Sequence, residues 1–287
     1  MSQTRVASSI NEAAQLLAEL ANPRLIAGGT DVVNRVLRLD GGPTSTARQT
    51  DWVDISSIGG DDAEVTRVGD VIRIGALSTY NTILGSGLIN AHLPSMIACS
   101  VGVGSLQIQA RGTIGGNLAN ASPAGDTWPV LISLGATVTL VSWVGGAHCY
   151  RTIPIENLFV SPGKIAAEPG ELIVCVEVPL QEGRRASFHR IGGHTHHIIS
   201  KVCGAIAARV VDGVLRDVRL AFGSVGPTTI RTRRVEALLE GAKLEVTPEI
   251  VAALEDSIKP ISDVRSTADY RHDAAASVLR LLLARLA

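Results

Sequence analysis

Apolar residues first fall into a helical rhythm behind a capping signal. Ser9-Ile10-Asn11-Glu12 has the S-x-x-E form of a capping box, and Ile10, Ala13, Ala14, Leu17 and Leu20 follow on one face. The helix so predicted stops at Asn22-Pro23. Leu25-Ile26-Ala27 predicts a short buried strand running into Gly28-Gly29-Thr30-Asp31, and Val32, Val33, Val36 and Leu37 predict a short helix behind it. After a polar connection over 38–50, Trp52-Val53-Asp54-Ile55 predicts the next strand. Alternating runs over 65–68 and 71–74 flank Gly69-Asp70, a hairpin turn pair. Ser78 is placed to cap a helix through Leu84, and Pro94 to open another that ends near Val101-Gly102-Val103-Gly104.

The second half reads mostly as strands, then helices. Strands are predicted over 137–143 and 149–153 around Gly145-Gly146, and over 172–178 up to Pro179. The polar stretch 181–185 marks a change of pattern. Beyond it come strands over 188–191, 201–211 and 214–222, the last two joined by the hairpin pair Asp212-Gly213, and helices over 233–239, 248–257 and 268–286. The expectation is an α+β chain with lobes at 1–55 and 56–179, followed over 180–287 by an antiparallel sheet backed by helices.

Composition narrows the functional classes. With 26 basic and 27 acidic residues in 287, and no long block of either sign, nothing calls for nucleic acid or an anionic membrane as partner. Aromatic residues are only 3%, which argues against base-stacking platforms and carbohydrate clefts. No apolar run reaches membrane-spanning length, so the expectation is a soluble cytoplasmic protein without membrane insertion. Cys99, Cys149, Cys175 and Cys203 form no C-x-x-C pair and are expected as buried small hydrophobes. No metal site is expected in the chain. His189, His194, His196 and His197 lie within nine residues without a carboxylate or thiolate at ligand spacing, and are read as loop residues.

The candidate chemistry lies in residues 113–126, Thr-Ile-Gly-Gly-Asn-Leu-Ala-Asn-Ala-Ser-Pro-Ala-Gly-Asp. This stretch is expected as an amide-rich loop ahead of a buried apolar run over 128–140. Glycines permit close backbone approach, and consecutive N–H groups can converge on an anion. The Gly28-Gly29 turn on its own reads as a tight turn capped by Thr30 or Asp31, and Gly102 with Gly104 lacks the third glycine of a dinucleotide fingerprint. Two such loops together suit a ligand with a diphosphate and a polyhydroxyl chain, and flavin adenine dinucleotide has both. Of the remaining candidates, Asp54 is read as a strand-end hydrogen-bonding residue, Arg231, Arg233 and Arg234 as a solvated helix start, and Trp128 and Trp143 as core.

Leu25-Ile26-Ala27-Gly28-Gly29-Thr30-Asp31 and Gly112-Thr113-Ile114-Gly115-Gly116-Asn117 through Ser122-Pro123-Ala124-Gly125-Asp126 resemble the FAD-binding medium subunit of the molybdenum hydroxylases, the xanthine and carbon monoxide dehydrogenase family. Residues 221–228, Ala-Phe-Gly-Ser-Val-Gly-Pro-Thr, resemble the family's G-x-V-A-P-T segment, and 263–271 its D-x-R-x-S-A-x-Y-R segment. The resemblance implies a two-lobed FAD-binding domain of the PCMH/vanillyl-alcohol-oxidase-like type and a small C-terminal domain. It also implies a large molybdopterin subunit, a small subunit with two [2Fe–2S] clusters, and a dimer of such heterotrimers. On this resemblance Leu25, Ile26, Ala27, Gly28, Gly29, Thr30, Asp31 and Val32 wrap the pyrophosphate, with Thr113, Gly115, Gly116 and Asn117 opposite. Ser122 and Asp126 bind ribityl or ribose hydroxyls, Leu172 or Ile173 packs near the isoalloxazine, and Arg190 stands where the family has a lysine by the ring's polar edge.

The sequence departs from the family in places. Gln109 and Ala110 occupy the positions of its usual Arg-Asn, and His194-Thr195 replaces a basic pair. The forms of the two loops are closer to the xanthine and N-heterocycle hydroxylases than to the carbon monoxide dehydrogenase type. Competing readings are a carbon monoxide or aldehyde dehydrogenase subunit of the same family, a stand-alone flavin oxidoreductase, and a nucleotide-binding assembly subunit without catalysis.

Overall fold

The structure, a computed structural model, describes residues 3–34, 50–193 and 199–287. Val36, Leu37 and most of the 38–50 connection lie outside the described residues, as do His194, His196 and His197. The first lobe holds β1 (Thr4–Val6), α1 (Ile10–Glu19), β2 (Pro23–Ile26) and β3 (Asp51–Asp54). Its strands form a parallel sheet in the order β1-β3-β2. Ser9 caps α1 by accepting from the Glu12 N–H at 3.1 Å, while the Glu12 carboxylate turns back to the Ser8 N–H at 2.7 Å. The expected box is thus shifted by one residue on its return bond. The carboxylate of Asp54 accepts from the Ser56 N–H at 2.8 Å, a strand-end bond as expected.

The chain next forms the hairpin β4 (Val65–Val68) and β5 (Val71–Gly75), turning at Gly69-Asp70. Six helices follow: α2 (Tyr80–Gly85), α3 (Gly87–His92), α4 (Pro94–Ser100), α5 (Leu106–Arg111), α6 (Ile114–Asn120) and α7 (Thr127–Leu134). The cap of α2 is Thr79, which accepts from the Thr82 N–H at 3.1 Å, and not Ser78, whose hydroxyl is donated to the Glu64 carbonyl. Then come β6 (Thr137–Val144), β7 (Ala147–Pro154), a small hairpin of β8 (Phe159–Ser161) and β9 (Lys164–Ile165), and β10 (Leu172–Pro179). An antiparallel sheet in the order β4-β5-β10-β6-β7 carries this lobe.

The last segment holds β11 (Arg184–Ile191), β12 (Val202–Val211), β13 (Val214–Gly223) and β14 (Ile230–Arg231), an antiparallel sheet in chain order. After it come α8 (Arg233–Leu239), α9 (Pro248–Ser257) and α10 (Ala268–Ala284). One face of this sheet, with Ile206, Leu220 and Phe222, packs on these helices. The other face, with Phe188, Ala205, Ala207 and Ala221, packs into the central core. Every residue of α7 is buried, as expected for a helix that is apolar all round, because it lies against β12 and β13 on one side and the central core on the other.

Some expectations needed correction. Residues 114–120 form a helix where a loop was expected: Thr113 caps it, and Ile114 and Leu118 anchor it in the core against the helix cost of two glycines. Cys149 is exposed on the edge strand β7, although the other three cysteines are buried. Arg231 is not solvated. Its guanidinium is paired with Glu236 at 2.8 Å and Glu156 at 3.3 Å, while Arg233 and Arg234 are exposed. Trp128 is fully buried, whereas Trp143 is half-buried against the first lobe. Among the described residues no helix is long and apolar enough to cross a membrane.

Candidate functional site

A cleft of about 510 Å³ runs along the seam between the first lobe and the middle lobe. Leu172 belongs to the apolar cluster built on α1 and Ile173 to the central cluster, so the start of β10 marks where the two cores meet. One wall is Arg24, Leu25, the turn 27–32 and Ile55. The other is made by Ala76, Leu77, Tyr80, Val103, Ile108, the start of α6 and the first residues of β10. Of the predicted residues, Leu25, Ala27, Gly28, Gly29, Thr30, Asp31, Val32, Thr113, Gly115, Gly116, Asn117, Leu172 and Ile173 all line this cleft.

The two walls touch main chain to main chain. A Cβ on Gly28 would fall on the Arg111 carbonyl, so only glycine fits there. Gly29 has φ +72, a conformation that side chains rarely adopt. Across from them α6 is stitched to the segment before α2: the Ile114 N–H donates to the Ser78 carbonyl at 3.0 Å and the Gly115 N–H to the Ala76 carbonyl at 2.8 Å. The absence of a side chain on Gly115 serves this packing, because a Cβ there would lie 2.8 Å from Ala76 Cβ. Gly116 differs. It is exposed, and an added Cβ would meet only Thr113 Oγ1, at 2.9 Å.

The donors of the two walls are therefore unequal. The N–H groups of Gly115, Gly116 and Asn117 are engaged by the Ala76 carbonyl, Thr113 Oγ1 and the Thr113 carbonyl. By contrast, among the described residues no acceptor faces the N–H groups of Gly28, Gly29 or Thr30. Free main-chain donors in a glycine turn are what an anion requires. The unengaged donors thus sit on the first loop, while the second offers a surface without side chains at Gly116 and the amide of Asn117, whose Oδ1 accepts from Thr127. The apolar residues Val103, Ile108, Leu172 and Ile173 suit a planar ring system, and Gln109 holds the turn before α5 by donating to the Val101 and Val103 carbonyls at 3.1 and 3.0 Å. These features fit FAD.

Four predicted residues lie elsewhere. The Ile26 side chain packs beneath Gly29, and Ser122 closes a local turn by accepting from the Ala124 N–H. Asp126 is buried: its carboxylate accepts from Arg190 Nη1 at 2.9 Å and from the Ser200 hydroxyl at 2.7 Å. Arg190 also donates to the Gly102 carbonyl at 3.0 Å. Asp126 and Arg190 form an ion pair that ties the start of α7 to β11, and neither lines the cleft. Burial raises the Asp126 pKa, opposed by Ser200 and Arg190. Nearby, burial pushes the Tyr80 phenol and the Cys99 and Cys203 thiols well up, so none of them ionises near neutral pH. Arg24, Tyr80 and Val103 are cleft residues that pattern reading missed, since only the fold brings them to the two loops.

Comparison with known proteins agrees with this geometry. Residues 2–181 match the family described as FAD binding domain in molybdopterin dehydrogenase, and residues 190–286 match the CO dehydrogenase flavoprotein C-terminal domain. The chain is similar to the nicotine 6-hydroxylase medium subunit of Paenarthrobacter nicotinovorans, with 31% identity over 95% of this chain and 93% of the relative. It is similar also to the 6-hydroxypseudooxynicotine dehydrogenase complex subunit alpha of the same organism, with 32% identity over 98% and 91%. Among solved structures, reconstituted CO dehydrogenase from Oligotropha carboxidovorans superposes with a TM-score of 0.89 at 26% identity, covering 100% of this chain and 97% of that one. The chain belongs to the FAD-binding medium subunits of the molybdenum hydroxylase family, and is a subunit of a molybdenum-dependent oxidoreductase.

Proposed function

We propose that this chain is the electron outlet of a three-subunit hydroxylase. In this reading a large subunit with the molybdenum cofactor oxidises the substrate, and a small subunit with two [2Fe–2S] clusters relays electrons to this chain. FAD, when bound here, supplies a carrier that takes electrons singly and releases them to an external acceptor. The observation that carries the proposal is the cleft, which joins amides on Gly28, Gly29 and Thr30 that no acceptor among the described residues engages to an apolar end at Leu172 and Ile173. The amides bind the diphosphate, Gly116 gives it room, and the apolar end shields the ring from water. An N-heterocycle is the proposed substrate class, supported by the nicotine-related names of the two relatives above.

Purification of the tagged chain from its native host tests the assembly. The expected result is a yellow complex with a molybdenum-containing large subunit and an iron–sulfur small subunit. Anaerobic mixing with an N-heterocyclic substrate should bleach the flavin absorbance in the complex and leave it unchanged in the isolated chain. Bleaching of the isolated chain by that substrate would instead establish a stand-alone oxidoreductase.

A further inference from the structure

A second cleft, of about 580 Å³, shares no lining residue with the first and is walled by charge. It opens on the sheet face that packs on α7. In the strand register Arg184 stands opposite Arg209, Ala207 opposite Arg219, and Ala221 opposite Arg231, which puts four arginines on one face. All four line the cleft, and the Arg219 guanidinium covers Gly135, where α7 ends.

Like charges directly opposite in a sheet cost stability, and Arg184 and Arg209 are direct partners. The acidic side chains around them, with Glu182 also lining the cleft, engage only two of the four arginines at ion-pair distance. Asp217 accepts from Arg209 Nε at 2.7 Å, and Glu236 and Glu156 engage Arg231. The Glu240 carboxylate is taken by the N–H groups of Asp217 and Val218 at 3.2 and 3.1 Å. Among the described residues, Arg184 and Arg219 have no carboxylate at ion-pair distance. Arg184 donates to the Asp217 carbonyl at 2.9 Å, to the Ala207 carbonyl and to the Gln181 side chain, yet its buried Nε has no partner. Burial, then the neighbouring Arg219 against the pull of Asp217, then Arg231 and Arg209, bring the Arg184 guanidinium down to about 10.

We propose that this cleft binds a phosphate group, held between Arg184 and Arg219 with Arg209 and Arg231 at its flanks. Two guanidiniums without carboxylates match the two charges of a phosphate near neutral pH, and their planar forks match its oxygens. A single carboxylate would leave one of them uncompensated. The phosphate comes either free or as a monoester on a small molecule, and the site reads the group common to both.

Titration calorimetry on the FAD-loaded complex in chloride buffer tests this, with inorganic phosphate in one arm and glycerol 3-phosphate in the other. The expected result is saturable binding of one equivalent per chain that weakens with added salt. R184Q and R219Q should each lower the affinity by about tenfold or more, the loss of one charge-assisted hydrogen bond or its equivalent. R185Q, on the opposite sheet face, should leave it unchanged. Tighter binding of the monoester would show that the site also reads the rest of the ligand, and equal binding that it reads phosphate alone. If R184Q fails to fold, the half-buried R219Q carries the test, with FAD content and Tm as controls. No saturable heat in either arm, affinity unaltered in R219Q, or acetate binding as tightly as phosphate would overturn the proposal.

Discussion

Gly116→Val separates a glycine kept for the ligand from one kept for the fold. In the free chain the new Cβ meets only Thr113 Oγ1, at 2.9 Å, and is otherwise open. The foreseeable structural loss is the cap bond from the Gly116 N–H to that hydroxyl, now 3.1 Å, which is worth about 1 kcal/mol. Valine in place of glycine returns a few tenths of a kcal/mol in helix propensity. The net cost, below about 1 kcal/mol, should lower Tm by only a few degrees in a chain of this size. For the ligand the change is larger, because two methyl groups enter the cleft where the proposed diphosphate site lies. The expected outcome is purified protein with near-normal Tm and less than a tenth of the wild-type flavin absorbance at equal protein, not restored by added FAD. Gly28→Ala is the contrast: its methyl would strike the Arg111 carbonyl, so it should lose Tm and solubility together with flavin. Stoichiometric FAD at unchanged affinity in Gly116→Val would refute the placement of the diphosphate beside Gly116.

Two further substitutions probe Asp126 and the C-terminal fold. Asp126→Asn removes the carboxylate facing Arg190 in a buried pair and should destabilise by about 3–5 kcal/mol in a denaturant titration, while FAD affinity of the folded protein stays as in wild type; loss of FAD at unchanged stability would restore Asp126 as a ligand. Asp263 sits before α10; burial alone would raise its pKa, but the Arg265 N–H, the buried Arg271 guanidinium at 2.9 Å and the Ser266 N–H outweigh it and hold the carboxyl at about 2. Because the folded value lies below the unfolded one near 3.9, the stabilisation is present above about pH 4 and is lost as pH falls towards 2. Asp263→Asn should therefore lower Tm at pH 6 and flatten the Tm decline between pH 4 and 2; an equal slope in both proteins would contradict this.

Much of the frame was legible because it rests on local rules. The hairpins at Gly69-Asp70 and Asp212-Gly213, the α1 cap at Ser9 and the Pro-led α4 each follow from two to four adjacent residues. The three-residue β1, exposed along its length, leaves no periodic signal, and α3 and α5, each of six residues, are too short to leave one. Gly115-Gly116 reads as loop because glycine disfavours helix. What makes it helical is Thr113 beneath and the core behind, one local and one tertiary. Asp126 shows the limit most plainly. In sequence it ends a ligand-like motif, but its buried ion-pair partner Arg190 lies 64 residues on, beyond any local pattern. The two segments that flank the cleft were legible because Gly28-Gly29 and Gly115-Gly116 are local glycine pairs, one in a turn and one in the first turn of α6, readable without any tertiary partner.

The contact between Gly28 and the Arg111 carbonyl has a consequence for how this site can change. Where the walls meet through peptide atoms, their separation is fixed by van der Waals radii and not by any side chain. The cleft behaves there as a gauge of constant width. Substitutions at Val103, Ile108, Leu172 or Ile173 alter the apolar end of the cleft without changing that contact. A variant library over those four positions should shift flavin absorbance maxima and acceptor preference while keeping FAD stoichiometric, so that electron delivery is adjustable separately from cofactor retention.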